Sequence, residues 1–187
     1  MNKEQAEEFL RSLTVVPEGL TQEEYMNATG IVLPRLLNKS GFEDPAYETS
    51  HSACFDIRST EDVLLVPGHT VVVPTGLYLT MENAVHWVNL NPNTFNMVLN
   101  IRPRSGLATK GVMVGAGEVD RDYLIENNEN NEIKIVLHYL GTNGTPPIEI
   151  KAGDRIAQAR WNLIGRDPFL PVKKVVRKGG FGSSGSV

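Results

Sequence analysis

Val63-Leu64-Leu65-Val66-Pro67-Gly68-His69-Thr70-Val71-Val72-Val73-Pro74-Thr75-Gly76-Leu77-Tyr78-Leu79-Thr80-Met81 decides the fold. Apolar and β-branched residues come in short runs, and each run stops at Pro67-Gly68 or Pro74-Thr75-Gly76. Proline has no N–H for a strand ladder, and glycine accepts the dihedrals of a tight turn, so these runs read as strands cut by turns. Working outward, Ile31 to Leu37, Asn96 to Ile101, Glu132 to Leu140 and Ile148 to Ile150 are similar strand candidates, with a hairpin signal at Asn143-Gly144. Many short strands with Gly/Pro punctuation predict an all-β sandwich or barrel. Two polar stretches, Glu82 to Asn96 and Glu126 to Asn131, read as surface loops.

Residues 1–30 have another texture. Asn2 with Gln5 and Thr21 with Glu24 have capping-box spacing. Ala6, Phe9, Leu10 and Leu13 recur at helical spacing, and Gly30 is a stop signal. This predicts a helical N-terminal extension over 1–30, a β domain over 31–176 and a flexible Gly-rich lid over 177–187. The extension and the polar stretches are candidate contacts for a protein partner.

The 187 residues suffice for one domain with a core. The formal net charge of −4 lacks the basic excess of a non-specific nucleic-acid binder, so no direct nucleic-acid binding is expected. The single cysteine, Cys54, allows no disulfide within the chain. A reducing, cytoplasmic setting fits, or the nucleus or host cytoplasm for a viral chain. No secretory signal pattern and no apolar run of membrane-spanning length are seen, so no membrane association is expected. There is no Gly-x-x-x-x-Gly-Lys phosphate loop, and one cysteine cannot supply a zinc deaminase site. The four histidines show no ligand spacing.

Five clusters carry the chemistry: Ala53-Cys54-Phe55-Asp56-Ile57; Pro103-Arg104-Ser105-Gly106-Leu107-Ala108; Gly115-Ala116-Gly117-Glu118-Val119-Asp120-Arg121-Asp122-Tyr123; Gly153-Asp154-Arg155-Ile156-Ala157-Gln158; and Gly179-Gly180-Phe181-Gly182-Ser183-Ser184-Gly185. The Arg104 guanidinium can pair bidentately with phosphate oxygens. The Ser105 hydroxyl and the amides around Gly106 can hold further oxygens. Asp120 is a candidate to orient and deprotonate a water. Asp120 and Asp122 alternate, so on a strand they would share a face. Asp154 and Arg155 read as a structural turn pair.

In this order and at this spacing the five clusters resemble the motifs of the trimeric deoxyuridine triphosphatase (dUTPase) family, over roughly Ile31 to Gly185. The resemblance implies a distorted β-barrel or jelly-roll, and hydrolysis of dUTP to dUMP and pyrophosphate. It implies Mg²⁺ held mainly through substrate phosphates and water, and a homotrimer whose sites draw on all three subunits. It assigns the base role to Asp120, and phosphate binding to Arg104, Ser105, Gly106 and Gln158. Asp56 would support the phosphate network and the outer sphere of the metal. The Gly115 to Val119 hairpin would read uracil, through Gly117, Glu118 and Val119, and Tyr123 would exclude a ribose 2′-hydroxyl. Lys134 falls near where the family contacts nucleotide. In the tail, Phe181 would stack on the base, Ser183 and Ser184 would hold outer phosphates, and Arg177 or Lys178 would take the terminal phosphate.

Besides two stretches longer than usual in the family, Tyr78 to Arg102 and Glu126 to Asn131, the sequence departs from it at three points. Cys54 replaces a glycine, Glu118 replaces an apolar residue, and Arg177 and Lys178 lie one residue closer to Phe181 than usual. Alternatives are a dCTP deaminase or dCTP-directed hydrolase of the same fold, favouring Glu118, and a dUTPase-like regulatory binding protein.

Overall fold

A computed structural model of the chain describes residues 31–88, 95–142, 144–167 and 169–170. The helices expected over 1–30 and the Gly-rich segment from 177 lie outside the described residues. The regular structure of the rest is almost entirely strand: β1 (Ile31–Asn38), β2 (Phe55–Arg58), β3 (Val63–Leu65), β4 (Thr70–Val73), β5 (Leu77–Val88), β6 (Phe95–Arg102), β7 (Val112–Val114), β8 (Glu118–Asp120), β9 (Ile135–Tyr139), β10 (Ile148–Ile150) and β11 (Arg155–Gly165). A single turn of helix, α1 (Ser105–Ala108), interrupts them. The strands form small antiparallel sheets with the orders β1-β5, β10-β3, β2-β11-β6-β8 and β4-β9-β7. This is the all-β jelly-roll character expected from the sequence.

The core follows from strand alternation. On β2, Phe55 and Ile57 point inward, and on β9 Ile135, Leu137 and Tyr139 do. They meet Val73, Leu79, Leu99, Ile101 and Ile156 in one buried cluster. Leu79 has no exposed surface. Its truncation to alanine removes buried methyl groups and leaves a cavity, so Leu79→Ala is expected to destabilise the fold by about 2–5 kcal/mol, read from chemical denaturation. A loss below about 1 kcal/mol would show that the site collapses around the smaller side chain.

Four local expectations need correction and one needs refinement. First, the polar stretch 82–96 is not one loop. β5 continues through Glu82 to Val88, paired with β1, and β6 begins at Phe95. The polar residues mark a bulge: Leu33 pairs with Val85 while Arg35 pairs with Thr80, so the β5 side carries extra residues there. Pro34 cannot donate to the ladder at that point, and Asn83 takes a left-handed conformation, φ 53°.

Second, Gly115 to Val119 does not join a two-stranded hairpin. β7 pairs with β9, whereas β8 pairs with β6 in another sheet. The connection presses Gly115 so close to β9 that a Cβ there would stand 2.5 Å from His138 Nε2. Gly117 is tied to β6 instead, its carbonyl accepting from Ile101 N at 2.6 Å.

Third, Asp120 and Asp122 do not share a strand face, because β8 ends at Asp120 and a turn follows, closed by Tyr123 N donating to Asp120 O at 3.0 Å. Fourth, Glu126 to Asn131 lies outside every strand, as the surface loop expected, but it is anchored. Glu126 accepts from the Thr80 hydroxyl and from Met81 N, and Asn131 is fully buried. Desolvation pushes the Glu126 carboxyl up, but the bonds from Thr80 and backbone N–H groups outweigh it and hold it below the usual range. Fifth, β9 starts at Ile135, because Glu132 bends back to the turn before β5, accepting from Thr75 N at 3.0 Å and Gly76 N at 2.8 Å.

Candidate functional site

The four-stranded sheet builds the site. Gln158 on β11 stands opposite Asp56 on β2 and opposite Arg102 on β6. Directly paired residues share a sheet face, and here the core takes the alternate residues Ile57, Ala157, Ala159 and Ile101. Asp56, Gln158 and Arg102 therefore project from the outer face. β6 then leads through Pro103 and Arg104 into α1. Arg104, in extended conformation at the N-cap, carries no side-chain cap. Its guanidinium turns to β2 and β11 instead.

Asp56 lies between two guanidinium groups. Arg104 Nε donates to Asp56 Oδ1 at 2.8 Å, and Arg155 Nη1 donates to Asp56 Oδ2 at 3.1 Å. Arg104 Nη1 also donates to the Arg155 carbonyl at 3.2 Å, and Arg155 Nη1 to Glu48 Oε1 at 2.7 Å. Arg155 is thus part of the charged cluster and not only a turn residue, whereas Asp154 does close its turn by accepting from Lys151 N at 2.8 Å. Gln158 Nε2 donates to Pro103 O at 3.0 Å and so fixes the chain entering α1. Its second N–H remains for a ligand. Ser105 and Gly106 open α1, where N–H groups have no partner within the turn. A Cβ on Gly106 would meet nothing within 4 Å.

Arg104, Ser105, Arg155, Gln158, Asp56 and Glu48 line an open cleft of about 450 Å³. Cys54, half-buried, stands in the same wall. Two guanidiniums, a hydroxyl, an amide and the start of a helical turn suit a polyanion. Asp56 spends both carboxylate oxygens on arginines, and among the described residues no group of three His, Cys, Asp or Glu side chains has the arrangement to hold a metal ion.

Asp120 lies elsewhere. It pairs with Val98, four positions along β6 from the Arg102 that faces Gln158. With strands about 4.8 Å apart and rising about 3.3 Å per residue, Asp120 is on the order of 20 Å from Asp56 on the same sheet face. Glu118 is exposed on the same strand and Val119 half-buried. Tyr123 is 5% exposed, and its hydroxyl donates to the Glu132 carbonyl at 3.4 Å. Lys134 approaches Glu132 at 3.8 Å and stays partly exposed. The fold therefore gathers Asp56, Arg104, Ser105, Gly106 and Gln158 and sets Asp120 apart from them within one chain, while Gly117 meets β6 at Ile101. Arg177, Lys178, Phe181, Ser183 and Ser184 lie outside the described residues. Glu48 has no sequence signal beyond its position shortly before the first cluster.

A family model described as dUTPase matches residues 40–185. A deoxyuridine 5′-triphosphate nucleotidohydrolase of Nautilia profundicola is 35% identical, over 75% of this chain and 89% of the relative. One of Brucella melitensis is 34% identical, over 81% of this chain and 90% of the relative. In fold, a dUTPase from Streptococcus mutans superposes with a TM-score of 0.52 at 24% identity, covering 74% of this chain and 98% of that one. A dUTPase from phage phi11 of S. aureus, described with a coordinated structural Mg(II) ion, gives 0.54 at 20% identity, covering 76% and 97%.

Proposed function

Because the chain belongs to the dUTPase family, we propose that it hydrolyses dUTP to dUMP and pyrophosphate. The observation that carries the reading is the cleft in which Asp56 holds Arg104 and Arg155 side by side. Two fixed guanidiniums offer a phosphate chain pre-oriented donors, so little conformational freedom is lost on binding. Ser105, Gly106 and the second N–H of Gln158 complete the set.

Asp120 is the base. It orients a water toward the α-phosphorus and takes its proton, and pyrophosphate leaves. The separation of Asp120 from the cleft on one chain favours a site shared between copies. In the homotrimer, one subunit supplies Asp120 and Tyr123, its neighbour Arg104, Ser105 and Gln158, and the third a tail carrying Phe181, Ser183, Ser184 and one of Arg177 or Lys178. Tyr123 is buried with its hydroxyl held by the Glu132 carbonyl, and a side chain so fixed suits a limit on sugar size. The Gly117 carbonyl is engaged by Ile101 N, so base reading falls to other backbone groups of Gly117, Glu118 and Val119. Lys134 is a peripheral contact, its charge shared with Glu132.

The described donor set does not form a protein cage for Mg²⁺, and both oxygens of Asp56 are already taken. The ion would be carried by the phosphates and waters, as is usual for Mg²⁺, with Asp56 acting beyond its first coordination sphere. When bound, it supplies neutralisation of phosphate charge. No helix among the described residues is long and apolar enough to cross a membrane, and a cytoplasmic setting is part of this reading.

Pyrophosphate release with Mg²⁺ across dUTP, dCTP, dTTP and UTP tests it. We expect a preference for dUTP of at least about a hundredfold in kcat/KM, because a site that hydrogen-bonds its ligand leaves polar groups unpaired with the wrong one. Preference for dCTP would shift attention to the exposed Glu118. No turnover of any of the four would favour a binding role.

A further inference from the structure

The charged side chains lining the cleft are two of each sign: Arg104 and Arg155, Asp56 and Glu48. The two carboxylates differ in how they are held. The Asp56 side chain is 18% exposed and grips both arginines. The Glu48 side chain is 64% exposed and holds Arg155 alone, through one contact of 2.7 Å. Glu48 lies outside every strand, ahead of a turn in which Ser52 N donates to Thr49 O at 3.1 Å. With Glu48 seated on Arg155, the charges of the cleft sum to zero. With Glu48 displaced they sum to plus one, which is the state a polyphosphate prefers.

From this arrangement we propose that Glu48 is an electrostatic gate on the phosphate cleft. Its carboxylate occupies the anion position on Arg155, and the incoming phosphate chain must displace it, so Glu48 sets affinity for the polyphosphate without touching the reacting atoms. This inference rests on the reading of the cleft as the phosphate site. Glu48 is a positioning residue acting through Arg155. Asp56 stays in place and keeps both arginines oriented when Glu48 leaves.

The test compares the full-length protein with Glu48→Gln, and uses Arg104→Ala to check the cleft itself. Two quantities are measured: the dissociation constant of inorganic pyrophosphate, and KM and kcat for dUTP. An exposed ion pair is weak, so Glu48→Gln is expected to lower the pyrophosphate constant and KM together by about two- to fivefold, with the change absent from kcat. The gain should shrink as salt is raised, because exposed charges are screened. Unchanged or weakened pyrophosphate binding in Glu48→Gln overturns the gate, as does a raised Mg²⁺ requirement, which would make Glu48 a metal ligand. If Arg104→Ala weakens pyrophosphate binding while Glu48→Gln does not tighten it, the gate alone is wrong. If Arg104→Ala leaves pyrophosphate binding unchanged, the phosphate reading of the cleft is wrong.

Discussion

Asp120→Asn is expected to lower kcat for dUTP by about a hundred- to ten-thousandfold, the usual contribution of a positioned proton acceptor. Asparagine has nearly the same shape as aspartate, and the β8 pairing of residue 120 with Val98 is made by the backbone. The substitution removes proton-accepting capacity and a charge while keeping the side chain's shape. Binding of dUTP by the inactive variant should then stay within a few-fold of the wild type, read by equilibrium titration. Retained turnover would move the base to another residue. Lost binding with intact folding would make Asp120 a ligand contact instead.

Arg104→Ala has the second largest expected effect, and it acts on binding as well as turnover. The guanidinium holds Asp56 at 2.8 Å and the Arg155 carbonyl at 3.2 Å, while its remaining N–H groups are available for phosphate. A hydrogen bond to a charged group is worth about 1.5–3 kcal/mol, so kcat/KM should fall by roughly ten- to a hundred-and-fiftyfold. Asp56 retains Arg155, so the fold should survive, and thermal unfolding should shift only modestly. Arg104→Lys restores charge without the planar fork and should recover only part of the loss. A variant with kcat/KM within about threefold of the wild type would remove Arg104 from the phosphate contacts.

Much of the barrel was legible because its inner strands are short apolar runs closed by Pro67-Gly68 and Pro74-Thr75-Gly76, and these became β3, β4 and β5. Strands β2 and β11 were harder to read, since Asp56, Arg58, Gln158, Arg160 and Asn162 place polar groups on alternate positions of an outward face. Polarity there belongs to the cleft side of the sheet and resembles loop composition when read alone. The β5 extension was hidden by a bulge opposite Pro34, where polar residues sit between two paired stretches. The crossing from β7 to β8 depends on which strand each finds as a neighbour, and no local pattern encodes that choice.

The site divides in the same way. Arg104 and Ser105 stood out by their chemistry and Gln158 through the resemblance, and the fold brings all three beside Asp56. Glu48 and Arg155 were not, because their meaning lies in one contact across the cleft between segments 107 residues apart in sequence. Glu118 and Cys54, two of the departures from the family, are respectively exposed on β8 and half-buried in the cleft wall.

The pairing of β2 with β11 also bears on when the chain acquires its cleft. Arg155 and Asp56, which share an ion pair in its floor, are 99 residues apart in sequence. Closing so long a loop is opposed by chain entropy until the late contacts form. Sheets built from distant partners belong to the slow folders, in milliseconds to seconds. A growing chain that has made β2 but not yet β11 holds Asp56 without Arg155 or Gln158. Recognition of polyphosphate by this cleft therefore waits for β11 to dock against β2.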